Sequence, residues 1–283
     1  MTTENIAEQI RFAYWVPNVS GGLVTSDIEQ RTGWDFEYNK KLAQTAENNG
    51  FEYALSQVRY TASYGAEFQH ESTSFSLALL GATERLKVIA AIHPGLWHPA
   101  VLAEFGATAD HLSNGRFAIN VVSGWFAGEF TALGEPWLEH DERYRRSAEF
   151  LEVIRKIWTE DNVNYGGDFY RIRDFTLKPK PLNMDFDGVI EQLDDVRAVA
   201  RAHDREVKFG LNGFIIARDT EKEARDTLRE IVAKANKPAV EGFREAVQQA
   251  GAATKDHKGM WAKVLPLVRE LEAARTPAAV GSR

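Results

Sequence analysis

The side chains able to do chemistry are best sorted by what their spacing forbids. Seven histidines stand at 70, 93, 98, 111, 140, 203 and 257, and none forms an HExxH pair. His93 and His98 straddle a Pro-Gly turn, which is a poor frame for a shared metal ion. Val122-Ser123-Gly124 lacks the glycine two residues before Ser that a nucleophile elbow requires. No GxGxxG follows the first apolar run and no GxxxxGK[ST] exists, so dinucleotide and P-loop readings fail. The chain has 0 cysteines, which excludes disulfides, Cys-ligated zinc, iron–sulfur clusters and a thiol nucleophile. Asn18-Val19-Ser20 matches a glycosylation acceptor and is read as a chance match.

What remains is a set of polar and aromatic residues just after short apolar runs. Trp15, Pro17 and Asn18 follow the first run, and Val58, Arg59 and Tyr60 the second. His93-Pro94-Gly95-Leu96-Trp97-His98 follows the third, and residues 120–125, from Asn120 to Trp125, close the fourth. In an α/β barrel the site lies at the C-terminal ends of the strands. Trp15, Trp97 and Trp125 on one rim would suit a broad aromatic ligand, and each alone reads equally as packing. Arg59 suits either an anion or a salt bridge. His93 suits a structural hydrogen bond better than catalysis. Glu129, Arg143 and Tyr144, taken alone, read as solvated helix starts. The residues by themselves reach an aromatic-lined pocket with a phosphate-capable Arg, and no reaction.

The elements that would position these residues alternate as βα units, the mark of a parallel sheet. Strands are expected over 12–16, 51–58, 86–92, 117–122 and 208–217. Helices are expected over 38–49, 74–83, 99–114 and 143–158. The third of these would bury Val101, Leu102, Phe105, Ala109 and Leu112, and the fourth Tyr144, Leu151, Ile154 and Trp158. Gly166-Gly167 suggests a hairpin. Thr220 and Glu223 form a capping box before a Leu228, Ile231, Val232 face, and Val264, Leu265, Val268 and Leu271 suggest a last helix. Two junctions are abrupt: Met184 runs straight into Asp185, and Ala262 into Lys263.

The 283 residues suit one large α/β domain over 1–283, with 44% hydrophobic and 27% charged residues as in a globular protein. A net charge of −7 argues against nucleic-acid binding. No secretory signal and no apolar run near the ~20 residues needed to cross a bilayer are visible, so no membrane association is expected and a cytoplasmic protein is the default.

Several stretches together resemble the bacterial luciferase-like flavin monooxygenases. They are Ser113-Asn114-Gly115-Arg116-Phe117-Ala118-Ile119-Asn120-Val121-Val122-Ser123-Gly124-Trp125, then Glu129-Phe130 and Glu142-Arg143-Tyr144, with Ala91-Ile92-His93-Pro94-Gly95. Tyr165-Gly166-Gly167-Asp168-Phe169-Tyr170 and Leu177-Lys178-Pro179-Lys180-Pro181 add to them. The opening Tyr14-Trp15-Val16-Pro17-Asn18-Val19-Ser20-Gly21-Gly22 looks closest to the FMNH2-dependent branch that oxygenates dimethyl sulfone. The resemblance implies a TIM-type (β/α)8 barrel. It implies reduced FMN (FMNH2) at the rim, supplied by a separate NAD(P)H-dependent flavin reductase, and O2 as co-substrate. It places flavin contacts on Val58, Arg59, Asn120, Glu129, Arg143 and Tyr144, and by analogy a homodimer or homotetramer.

The same resemblance bears on substrate charge. Related alkanesulfonate monooxygenases carry Arg and His where this chain has Asn212 and Phe214, and Arg where it has His93. Their absence points to a small neutral organosulfur substrate, held among Trp15, Trp97, Trp125, Asn212 and Phe214, with His93 as a candidate catalytic residue. Same-fold alternatives are an alkanesulfonate monooxygenase and a deazaflavin-dependent dehydrogenase. Relatives also carry further strands at the positions of the two abrupt junctions, 184/185 and 262/263, and five strands cannot close a barrel.

Overall fold

A computed structural model describes residues 11–21, 24–29, 31–62, 66–183 and 215–249. Four strands come in βα alternation: β1 (Ala13–Val16), β2 (Tyr53–Ser56), β3 (Lys87–Ile92) and β4 (Phe117–Val121). They pair in the order β1-β2-β3-β4, all parallel, with Val16 opposite Ser56 and Ile92 opposite Val121. All four therefore end on one side of the sheet. The crossovers are α1 (Phe36–Asn48), α2 (Ser72–Ala82) and α3 (Pro99–Ser113). After β4 come the short α4 (Ala127–Ala132), the long α5 (His140–Thr159), and an antiparallel hairpin of β5 (Val163–Gly166) and β6 (Arg171–Phe175). Two further helices are α6 (Glu221–Ala233) and α7 (Lys237–Gln249).

Each helix start has a local cause. Asp35 caps α1 through the Tyr38 amide, and Glu71 caps α2 by accepting the amides of Thr73 and Ser74. His98 caps α3 and Pro99 occupies its first turn. Both hydrogen bonds of the capping box form between Thr220 and Glu223 at α6. Asn114, at φ 56°, takes the left-handed conformation that ends α3.

The core falls into two clusters. One packs Val16, Ala54, Leu79, Leu86 and Val88 under α1 and α2. The other joins Ile92, Leu102, Ala103 and Ala107 to Phe150, Val153, Ile154 and Ile157 of α5 and to the hairpin residues Val163 and Ile172. Close approach of α3 and α5 depends on small residues: a methyl group on Gly106 would come within 2.9 Å of the Trp158 ring. The Trp158 indole N–H donates to the Ala103 carbonyl at 2.9 Å.

Two expected helix faces are corrected. On α3, Val101 and Leu112 are exposed, and the buried face is Leu102, Ala103, Gly106, Ala107, Ala109, Asp110 and Ser113. On α5, Tyr144 and Leu151 point outward, whereas Arg143, Arg146, Ser147 and Phe150 are buried. The N-terminal turns of α5 border the polar strand ends, which turns a charged stripe inward. Helix α6 has no buried residue among those described, and Leu228 and Val232 stay exposed.

The hairpin around Gly166-Gly167 is present. Of the expected strand over 208–217, residues 208–214 lie outside the described residues, and 215–217 carry no strand. Asn212, Phe214, both junctions and the last expected helix also lie outside them. No described helix is long and apolar enough to cross a membrane.

Candidate active site at the strand ends

The C-terminal ends of β1 to β4 are tied together by buried polar side chains. Asn18 is fully buried. Its Nδ2 donates to the carbonyls of Gln57 at 2.9 Å and His70 at 3.2 Å, and its Oδ1 accepts the Gln57 amide at 2.9 Å. This burial leaves no room for a glycan on Asn18. Asn39 of α1 donates to the Pro17 carbonyl at 3.1 Å, joining the same rim. Asn18→Ala would strand an amide and two carbonyls at the β1–β2 ends. Urea denaturation is expected to record a loss of about 2 kcal/mol.

Glu129 lies at the centre of the mouth with no exposed surface. Its Oε1 accepts the Tyr60 amide at 3.1 Å and pairs with the Arg59 Nε at 3.3 Å. Its Oε2 lies 3.8 Å from His93 Nε2 and makes no hydrogen bond. His93 Nδ1 sits 2.8 Å from the Val122 carbonyl, and because a carbonyl only accepts, the Nδ1 proton is fixed there. Burial pushes the Glu129 carboxyl up. His93, the Tyr60 amide and the Arg59 charge outweigh that and hold it below the ordinary carboxylate range.

Arg143 is also turned inward. Its Nη1 donates to the Gly124 carbonyl, and its guanidinium lies 4.1 Å from the Trp137 ring centroid. Burial lowers its pKa, with the neighbouring Arg146 charge acting in the same direction. Gly124 itself, at φ +99°, has the Phe130 ring 2.9 Å from where a Cβ would stand.

The remaining candidates are gathered only in part. The Arg59 guanidinium lies 5.6 Å from the Trp125 ring and 6.0 Å from that of Phe126, and Trp125 meets Phe243 of α7 at 5.4 Å. Val58 is buried beside Arg59, and Asn120 is half-buried in β4. Trp97 turns toward Phe105 of α3, with ring centroids 6.3 Å apart. Trp15 is 39% exposed and Tyr144 57% exposed. The Glu129–Arg59–His93 cluster was not foreseen as a unit. Arg59 and His93 fall just after strands and Glu129 in α4 beyond β4, and the family resemblance placed Arg59 and Glu129 together as flavin contacts, without His93.

Glu71 and Glu129 both sit below the ordinary carboxylate value of 4.5 in the fold. Glu71 is pushed up by burial and brought down by the Ser74 and Thr73 amides. A carboxylate with a lowered folded pKa stabilises the protein above its unfolded pKa. That gain is lost as pH falls through the folded value. The melting temperature is therefore expected to fall as pH drops below about 4.5. Calorimetry should show a shallower fall in Glu71→Gln.

The model of the luciferase-like monooxygenase family matches residues 10–185 and 182–283. The chain belongs to the luciferase-like monooxygenase family. The two matched stretches of this luciferase-like chain meet at the first of its abrupt junctions. It is 56% identical to an FMNH(2)-dependent dimethylsulfone monooxygenase of Pseudomonas putida, over 91% of this chain and 79% of the relative. A protein of the same name from Pseudomonas fluorescens (strain Pf0-1) is 54% identical, over 90% of this chain and 78% of the relative. Among solved structures, long-chain alkane monooxygenase (LadA) superposes with a TM-score of 0.73 at 18% identity. It covers 92% of this chain and 76% of its own, which supports the shared luciferase-like fold.

Proposed function

We propose that the chain is an FMNH2-dependent monooxygenase that oxygenates dimethyl sulfone. O2 would be the co-substrate, and a separate NAD(P)H-dependent flavin reductase would supply the reduced FMN. What supports this most is the 56% identity to the Pseudomonas putida dimethylsulfone monooxygenase across 91% of the chain.

The residues present fit a flavin. The mouth offers aromatic walls at Trp125 and Phe126, a buried apolar side chain at Val58, and the amide of Asn120 at the end of a strand. Glu129 Oε2, buried without a hydrogen bond, marks a polar point at its base. On this reading Val58, Arg59, Asn120 and Tyr144 line the cofactor. Glu129 and Arg143 lie beneath and hold Arg59 and the Gly124 turn in place. Bound reduced FMN supplies the activation of O2, so the protein needs no nucleophile of its own. Its residues orient the ring, exclude water and keep the substrate beside it. At the strand ends the Arg59 charge meets Glu129 and the Arg143 charge meets the Gly124 carbonyl, an arrangement that suits an uncharged sulfone.

Oxygenation at a methyl carbon would give a hydroxymethyl sulfone, which parts into formaldehyde and methanesulfinate. The test is anaerobic mixing of photoreduced FMN with the protein, then addition of O2 and dimethyl sulfone. Formaldehyde and methanesulfinate in equal amounts are expected. Faster turnover of alkanesulfonates than of dimethyl sulfone would overturn the assignment.

A further inference from the structure

A hollow of about 620 Å³ opens where the loop after β3 meets α5 and the hairpin, bordering the strand-end mouth at Tyr60. Pro94, Gly95 and Trp97 form one side, and Phe169 and Tyr170 from the hairpin tip another. Its one strongly cationic lining group is Arg146. This residue is only 6% exposed, yet it makes no hydrogen bond and no ion pair among the described residues. The Phe130 ring lies 5.7 Å from its guanidinium carbon. The residue is buried as a whole, yet its nitrogens are not sealed off: they reach the hollow, where five donors face water or a guest rather than the protein. The neighbouring backbone is shaped around it: a methyl group on Gly95 would overlap the guanidinium. Arg143, one turn away, is committed to the Gly124 carbonyl and Trp137, so the two arginines differ in availability.

We propose that this hollow is a binding site for a small, singly charged organic oxyanion, received by the free fork of Arg146. A planar guanidinium matches two oxygens of a sulfinate, sulfonate or phosphate in parallel hydrogen bonds. Glu135 is the lining carboxylate, and it forms no ion pair with Arg146. One acid beside one cation favours a monoanion over a phosphate dianion. Leu96, Trp97, Leu133 and Phe169 give an apolar wall for a methyl group. Methanesulfinate has this charge, size and shape. Its choice as occupant rests on the function proposed above; the oxyanion site does not. The phosphate of FMN is the competing oxyanion, and its second negative charge is less well matched beside Glu135.

The test is binding, measured by calorimetry on the full chain. Methanesulfinate and inorganic phosphate are titrated separately, and FMN is compared with riboflavin. The wild type is expected to bind methanesulfinate, and Arg146→Gln to weaken it roughly ten- to hundredfold. Gly95→Ala, which displaces the guanidinium without removing it, should weaken it in the same direction and serves if Arg146→Gln fails to fold. If methanesulfinate does not bind but Arg146→Gln abolishes the preference for FMN over riboflavin, Arg146 serves the phosphate of FMN and the monoanion site is overturned. If neither anion binds and both variants treat FMN and riboflavin as the wild type does, the site is overturned. Sulfinate binding without turnover of dimethyl sulfone would sink the proposed function and leave the site intact.

Discussion

Glu129→Ala is expected to lose about 3–5 kcal/mol of stability, because it leaves Arg59 and the Tyr60 amide without their buried acceptor. The effect should exceed that of an ordinary surface pair, since the Arg59 side chain is only 12% exposed and that of Glu129 not at all. Glu129→Gln keeps an acceptor for the Tyr60 amide but removes the charge facing Arg59 and His93, so an intermediate loss is expected. Guanidinium denaturation at neutral pH measures both. FMN affinity should fall alongside, because Arg59 and the β2 end take their position from this carboxylate. An Ala variant within about 1 kcal/mol of the wild type would show that Glu129 is not what holds the mouth together.

The second large effect is expected at the opposite end of the sheet. Arg116, just before β4, donates to the carbonyls of Leu80 and Leu86 at 2.9 Å, Thr83 at 3.1 Å and Ser113 at 2.8 Å. One guanidinium thus closes the end of α2, the start of β3 and the end of α3. Arg116→Ala would leave these carbonyls unanswered, at a cost of about 3 kcal/mol. Arg116→Lys should recover little, since a single ammonium cannot reach carbonyls spread over a planar fork. Thermal melting separates the two outcomes. Full recovery by Lys would mean that charge, not geometry, was needed.

The βα alternation was legible because each strand is a short apolar run ended by Pro, Gly or a polar residue. All four expected strands within the first 125 residues appear at or inside their expected limits. Helix faces were less legible. Val101 and Leu112 fit a helical stripe as well as Ala103, Gly106 and Ala107 do, and size alone favoured the wrong set. The structure chooses the small side, because α5 packs too closely for large side chains. On α5, a face carrying Arg143 and Arg146 reads as solvent-exposed in a single sequence. It is buried because the partner surfaces, the Gly124 turn and the loop after β3, come from distant parts of the chain.

The site was legible as a list and not as an arrangement. The structure gathers part of that list, Arg59, His93 and Glu129, at one mouth, whereas Trp97 turns toward α3. That Glu129 would meet Tyr60 across 69 positions has no local signature. Asn18, noted as a strand-end residue, proves to be a buried tie between β1 and β2. The family resemblance supplied what residue types could not: a cofactor and a reaction.

The tip of the hairpin is fastened to α5 by one carboxylate. Glu149 accepts the amides of Asp168 at 3.1 Å, Phe169 at 3.0 Å and Tyr170 at 2.6 Å, and the Tyr170 hydroxyl donates to the Pro94 carbonyl at 2.8 Å. The rings of Phe169 and Tyr170 are thereby set before any guest arrives, so little freedom remains to be surrendered on docking. Walls held in place in this way select by fit among the described residues, favouring a guest whose outline already matches them.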